Sequence, residues 1–525
     1  MNKLTLAPLA LVLNLSLTAC GGGGSSPAAP TPASSLMASS STPASSLSTS
    51  SRANSTSSEA GSSSSNAAIN IDFINASVHD PSVLKVGSQY YVFGSHLAAA
   101  KTSDLMNWSK VADGVNNQNP LFGNKVTSEL ALAFSWSQVT GLWAADVIQL
   151  EDGKFYMYYN TCKGDSPRSA LGVAVSDNVE GPYINKQIML KSGMWGEVSE
   201  DGNNIYDALV HPNAVDPDVF FDKNGNLWMI YGSYSGGIFI LELDKTSGLV
   251  KPGQGYGKHL LGGNHARIEG AYVLYNHQTN YYYMFSSFGG LDANGAYNIR
   301  VARATNPDGP YYDATGTEMT SVKGNPTKLF DDPLYAPHGQ KLMGNFQFAL
   351  TAGETGTAYG YVSAGHNSAY YDTDKNQYFL FFHTRFPSRG EQHEIRVHEL
   401  FFNAEGWPVV APYRYVPLAS NPAGADKNIA LSDISGNYKY INHGKDISTA
   451  IKTSININLS NDGTISGAVS GTWLAAGDNQ ITLAIGNDTY EGVVSRQWNP
   501  NTKTFVVTFS AQSNSGVSIW GSQIN

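Results

Sequence analysis

Charge is scarce in this 525-residue sequence: only 14% of its residues are Asp, Glu, Lys or Arg, against about a quarter in an ordinary soluble protein. Basic residues number 32 against 42 acidic ones, for a formal net charge of −10, and no basic block occurs. Without clustered cations to neutralise phosphates, the chain is not a nucleic-acid binder. Cysteine is nearly absent. Two in the whole chain exclude a disulfide framework and any cysteine-based zinc cluster. The apolar run from Leu4 to Leu17 falls short of the about 20 residues a membrane-spanning helix needs. What the chain has in quantity is aromatic surface and glycine, with 29 Tyr and 53 Gly. Low charge with abundant Tyr, Trp and Gly points to a β-rich secreted protein that handles a neutral, hydroxylated ligand.

At roughly 100–200 residues per domain the length predicts about three folding units. Residues 1–20 read as a secretory signal, with Lys3 ahead of the apolar run. The run ends in Leu17-Thr18-Ala19-Cys20, which looks like a bacterial lipobox with Cys20 as the lipidated first residue of the mature chain. Gly21 carries no Asp-type retention signal. That string therefore implies an outer-membrane lipoprotein facing the periplasm or the cell surface, and a secreted protein if the lipid is not added. Residues 21–69 are dominated by Ser, Ala, Pro, Gly and Thr, a composition that cannot bury enough apolar surface to offset its ordering entropy. They read as a flexible tether, suited to a domain that searches for a large or insoluble partner.

Five short aromatic β-type runs follow: Gln89–Phe93, Lys154–Tyr158, Asn226–Ile230, Asn280–Met284 and Gln377–Phe381. Each is preceded by another short segment carrying one polar residue at a matching place, namely Asp80, Asp146, Asp216, Glu269 and His366. Five such repeats over residues 70–415 predict an all-β, five-bladed β-propeller. The first strand of each blade lines the central channel, so these four carboxylates and one histidine are expected to meet on the axis. An Asp before Pro is commonly a turn residue, but that reading does not account for all five repeats.

Carboxylates crowded into one pocket raise each other's pKa, because like charges at close range resist joint ionisation. The result is a protonated acid beside an ionised base, the pair that glycoside hydrolysis requires. Three strings, Val78-His79-Asp80-Pro81-Ser82-Val83, Ala214-Val215-Asp216-Pro217 and Arg267-Ile268-Glu269-Gly270-Ala271-Tyr272, resemble the three catalytic motifs of glycoside hydrolase family 43. Phe382-His383-Thr384-Arg385-Phe386, His393–His398 and Trp407–Tyr415 are similar to the family's two-domain extracellular endo-α-1,5-L-arabinanases. The resemblance implies that Asp80 is the general base, Glu269 the general acid, and Asp216 the residue that raises the acid's pKa and orients it. It implies inversion of configuration, with base and acid about 6.5–9.5 Å apart. Asn213, Ser233, Tyr234 and His265 stand beside these motifs as candidate substrate contacts, together with Asp146 and a stacking face on Trp143. The family often has Trp-Ala-Pro-Asp where this chain has Trp143-Ala144-Ala145-Asp146, so the missing proline leaves the role of Asp146 open. His366 matches the family's axial histidine, which implies one calcium ion in the channel. Calcium prefers six to eight oxygen ligands, so water would fill most of its shell.

Three motifs are set aside. His393-Glu394 and His398 are spaced one residue too far for a zinc-binding helix pair, and the alternation of Ile395 and Val397 reads as a strand. Gly253–Gly257 lacks the spacing and the Lys of a phosphate loop. Cys162 has no His or Asp assigned to it as a nucleophile. Residues 416–525 change pattern: Ser454–Leu459 alternates strictly and Asn461-Asp462-Gly463 supplies a hairpin turn. Further strands are expected at Gln480–Ile485, Glu491–Arg496, Thr504–Ser510 and Ser518–Trp520, making a small antiparallel β-barrel or sandwich. Its Trp473, Trp498 and Trp520 read as core rather than as a sugar platform. The expected protein is a monomeric enzyme acting on arabinan, a pectin side chain, and held to a membrane by its lipid. The alternatives are an exo-acting α-L-arabinofuranosidase or β-xylosidase of the same family, and a non-catalytic glycan-binding lipoprotein.

Overall fold

The computed structural model describes residues 71–418 and 429–524; the signal, Cys20 and the whole tether lie outside the described residues. Strands dominate. Five antiparallel sheets form the blades of a propeller, and their innermost strands are Ser82–Val86, Asp146–Gln149, Asp218–Phe221, Ile268–Asn276 and the second half of Gly360–Asp372. The aromatic runs are the second strand of every blade, and three of them are longer than the sequence suggests: Phe155–Cys162, Tyr281–Phe288 and Gln377–Arg385. Their length follows from burial on both faces between neighbouring blades, which makes them continuous apolar runs. Phe155–Cys162 is buried at all eight positions. Two-residue turns close the tightest hairpins; in the first blade Val86 pairs with Gln89 across Gly87, whose φ of 59° suits glycine.

The blades are tied to one another around the axis by a circuit of hydrogen bonds. The Ser82 hydroxyl of the first blade donates to Asp146 Oδ1 of the second. Asp146 Oδ2 accepts the Val219 N–H of the third at 2.9 Å. Asp218 Oδ2 accepts the Val273 N–H of the fourth at 2.8 Å. The fourth blade's Ser287 hydroxyl accepts the His366 N–H of the fifth at 2.7 Å. The circuit returns to the first blade where the Ser368 hydroxyl donates to the Pro81 carbonyl, also at 2.7 Å. Farther out, Lys85 of the first blade pairs with the fully buried Asp372 of the last at 2.9 Å.

The C-terminal part is a closed eight-stranded antiparallel barrel, in simple meander order from Gly436–Asn442 to Ser518–Gln523. Three of its strands, Gly436–Asn442, Thr464–Gly467 and Gly471–Ala475, are not apparent in the sequence pattern. Trp473, Trp498 and Trp520 are all buried, as expected of core residues. The barrel is joined to the fifth blade as an extension of it. Its approach segment Lys452–Thr453 pairs in parallel with Phe346–Gln347, and Trp520, Ile441 and Val506 pack into that blade's own apolar core. Lys439 of the barrel forms a buried ion pair with Glu354 of the blade.

Candidate active site

Asp80, Asp216, Glu269 and His366 line one small cavity on the propeller axis, with Ser233, Trp143, Val215 and Leu291 completing its wall. The backbone aims them there. Asp80 and Asp216 both precede a proline and both adopt left-handed φ, 57° and 56°, at the turn into an innermost strand. His366 has φ 43°, and the pairing of its strand shifts register on both sides of Gly365. Glu269 sits where the fourth blade's pairing slips, beside Gly270 with φ 58°. Such bulges turn a side chain out of the pleat. A Cβ on Gly270 would lie 2.9 Å from the His366 ring, so only glycine lets the two blades approach.

Asp146 is the one axial candidate that the structure places elsewhere. It opens its strand as Ser82 and Asp218 open theirs, two residues beyond the places of Asp80 and Asp216. One pleat repeat carries it below the cavity. Both of its oxygens are committed to the inter-blade circuit, to Ser82 and to Val219. The residue that occupies the Asp80 place in the second blade is Ala144. Asn213 is likewise turned away, its Oδ1 accepting from the Ser169 and Ser192 hydroxyls at 2.5 and 3.3 Å. Tyr234 donates to the Gly289 carbonyl at 3.4 Å, and His265 is buried; neither lines the cavity. Ser233 and Trp143 do. Cys162 is buried with Val215 and Trp143 packed against it.

Around Asp80 the structure gathers three imidazoles. His79 Nδ1 is 2.8 Å from Oδ2, His366 Nδ1 is 3.1 Å from Oδ1, and His383 Nδ1 accepts the Asp80 N–H at 3.1 Å. The Ser95 hydroxyl adds a further short bond. Burial pushes the Asp80 carboxyl up, but His366 and His79 outweigh it and hold the group well below the usual carboxylate range. Burial works the other way on His383, which stays neutral far below the ordinary imidazole value. Its Nδ1 is therefore free to accept the Asp80 N–H.

Glu269 has a different setting. Its Oε2 accepts from Ser233 Oγ at 2.7 Å and its Oε1 from Tyr297 Oη at 3.0 Å. Burial raises its pKa, and His366 and the Ser233 hydroxyl only partly offset that. Asp216 is raised to about 8, first by burial and then by the charges of Glu269 and Asp80, against the pull of His366. Asp216 also accepts the N–H of Gly270, the residue after Glu269. One side of the cavity thus keeps an ionised carboxylate, and the other keeps a proton on the Asp216–Glu269 pair.

Tyr297, His79, His383 and Ser95 were not assigned from the sequence. His79 and His383 lie within the motif strings quoted above, so a signal existed. Tyr297 had none; it reaches Glu269 because Gly365 leaves room for its ring, which a Cβ there would meet at 2.1 Å.

A ring of five blades presenting an ionised carboxylate opposite a protonated one is the working centre of a propeller glycoside hydrolase. The glycosyl hydrolases family 43 pattern matches residues 70–408, and a C-terminal lipocalin-like domain matches 412–521. The chain belongs to glycosyl hydrolase family 43. It is 57% identical to an extracellular endo-α-(1→5)-L-arabinanase of Bacillus subtilis over 86% of its length and 94% of the relative's. It is 50% identical to an extracellular endo-α-(1→5)-L-arabinanase of Thermotoga petrophila, again over 86% of this chain and 94% of the other. Among solved structures, a family 43 glycoside hydrolase of Bacillus licheniformis superposes with a TM-score of 0.82 at 57% identity, covering 86% of this chain and 99% of that one.

Asp146→Asn tests the placement of that residue. A linear arabino-oligosaccharide should keep its KM within about twofold, while thermal unfolding shows a loss of about 1–3 kcal/mol from the damaged inter-blade bonds. A raised KM with unchanged stability would make Asp146 a substrate contact after all.

Proposed function

We propose that this protein hydrolyses internal α-1,5-L-arabinofuranosidic bonds of arabinan with inversion of configuration. The observation that carries the reading is the split protonation of one axial cavity, with Asp80 held low and Glu269 held high. Asp80 accepts a proton from water as the water attacks the anomeric carbon. Glu269 gives its proton to the glycosidic oxygen as that bond breaks, so the new hydroxyl lies on the opposite face of the ring. Asp216 supports the acid through its bond from the Gly270 N–H, next to Glu269, and by sharing a proton with it, while the negative charge that resists ionisation of Glu269 is that of Asp80. Trp143 offers a partly exposed ring beside Asp80 for an apolar sugar face. The high identity to two extracellular endo-arabinanases supports arabinan as the polymer and endo cleavage as the mode.

A calcium ion in the channel is part of this proposal. With Nδ1 directed at Asp80, His366 keeps Nε2 as its free ligand atom, the carboxylate–histidine arrangement that orients an imidazole toward a metal. The ion would supply positive charge that screens the three carboxylates. Without the ion, Asp80 and Asp216 raise His366 to about 9 against burial, and the imidazolium, with no nitrogen lone pair left for a ligand, would provide charge of the same sign in the ion's place. Lipidation of Cys20 is proposed from the Leu17-Thr18-Ala19-Cys20 string. It would hold the enzyme at the outer membrane on a long tether.

Glu269→Gln should lower hydrolysis of unactivated linear arabinan by about 100- to 10,000-fold, read as reducing ends released. Early wild-type digests should contain a spread of oligosaccharides. Arabinose alone would establish an exo enzyme, and no product with tight binding would establish a glycan-binding protein. Tyr297→Phe removes a donor that favours ionised Glu269, so the pKa of the acid rises. The alkaline limb of the kcat/KM profile should move to higher pH while the acid limb, set by Asp80, stays in place. An unmoved alkaline limb would assign it to another group. Chelation should lower the rate more than the melting temperature; an unchanged rate would leave His366 acting as an imidazolium without metal.

A further inference from the structure

We infer that the cleft between the fifth blade and the barrel is a second saccharide site, built for a sugar that carries a carboxylate, a uronide. The site is separate from the axial cavity and goes beyond the arabinan reading. The cleft holds about 730 Å³. Its walls are the loop 355–361 and the turn Phe386–Arg389 on the blade side, and the hairpin turn Trp498–Lys503 on the barrel side. These walls are fixed to each other. Asn501 Nδ2 of the barrel donates to the Thr355 and Thr357 carbonyls at 2.9 and 2.8 Å, and the Thr355 N–H returns a bond to the Asn501 carbonyl at 3.1 Å. The cleft is therefore a shaped cavity and not a loose gap.

Its chemistry is unlike the rest of the molecule. In a chain of net charge −10, the cleft is lined by Arg389, Arg396, Arg414 and Lys503 and by no carboxylate. Glu394, outside the lining, serves two of these cations, accepting from Arg389 at 2.6 Å and from Arg396 at 2.7 Å. Arg396 also donates from Nη1 to the Ile395 carbonyl at 2.8 Å, and its buried Nε has no hydrogen-bond partner among the described residues. Arg414 forms no ion pair of its own among the described residues; the carboxylate whose charge reaches it is Glu394, already bonded to Arg389 and Arg396, and its guanidinium lies 3.9 Å over the Phe73 ring. Burial and the adjacent Arg396 charge pull Arg414 down to about 9 and Glu394 only partly offsets them, as expected where three guanidinium groups share one carboxylate.

Two features together select the ligand. A guanidinium fork left open in a partly desolvated wall matches a carboxylate. The partly exposed Phe73, Tyr359 and Phe386 supply apolar surface around the same space, which suits the carbon face of a sugar ring. A neutral sugar would leave the arginine uncompensated, and an inorganic anion would leave the aromatic surface bare. A sugar acid satisfies both.

The test is isothermal titration of the purified protein with trigalacturonate. Binding should be measurable, should not be displaced by arabinotriose, and should weaken at least tenfold in Arg414→Gln. Lys503 stands exposed on the rim, so Lys503→Glu keeps the fold and should weaken binding at least threefold. Both variants should hydrolyse arabinan at the wild-type rate. No heat at millimolar trigalacturonate, equal affinity in both variants, displacement by arabinotriose, or equally tight binding of inorganic phosphate would each overturn the inference. Loss of arabinan hydrolysis in the wild-type protein with trigalacturonate binding intact would strike only the proposed activity.

Discussion

The circuit of hydrogen bonds beneath the cavity is the constraint on which the rest of the propeller depends. A propeller is a ring of sheets that pack face to face, and apolar packing alone does not fix how far each blade slides along the axis. Ser82, Asp146, Asp218, Ser287 and Ser368 fix it by bonding side chains of one blade to backbone or side chains of the next. Asp146 and Asp218 are buried carboxyls with raised pKa, the first to about 6. A buried group of this kind is costly unless bonded. Each oxygen that is bonded therefore has one favourable position, and the blades inherit that precision.

On this base the site separates two carboxyl environments within one small volume. Three nitrogens and a hydroxyl surround Asp80, whereas Glu269 meets two hydroxyls and the charge of Asp80. Burial penalises ionisation on both sides equally in kind; the neighbours decide which side keeps its proton. His366 stands between them and is drawn upward by the same carboxylates it stabilises. The division of labour thus comes from what each blade edge brings to the axis, and no single residue holds it.

Much of this was legible before any coordinates, and the gaps have physical causes. The second strands of the blades announce themselves because burial on both faces demands continuous aromatic and aliphatic residues. Asp80, Asp216, Glu269 and His366 could be placed because polar residues interrupt an apolar repeat at matching points. Asp146 was misplaced by two residues because alternation in a strand has a period of two, so an Asp one repeat away lies in the same row. Without the proline that follows Asp80 and Asp216, the local pattern offers nothing to fix its height. Tyr297 was invisible for another reason: its reach to Glu269 depends on Gly365, which is far away in sequence. In the barrel, Thr464–Gly467 and Gly471–Ala475 escaped notice because they are short, glycine-bounded and largely exposed, with only one inward apolar side chain each, Ile465 and Trp473.

The parallel pairing of Lys452–Thr453 with Phe346–Gln347 adds a strand of the barrel's approach segment to the fifth sheet, at the edge opposite Pro408–Val410. Cutting the chain between the two would leave a bare strand edge on the propeller and a hole where Trp520 had been. The two parts therefore depend on each other for a closed surface. A new partner for this propeller must bring its own strand and its own tryptophan to the same seam.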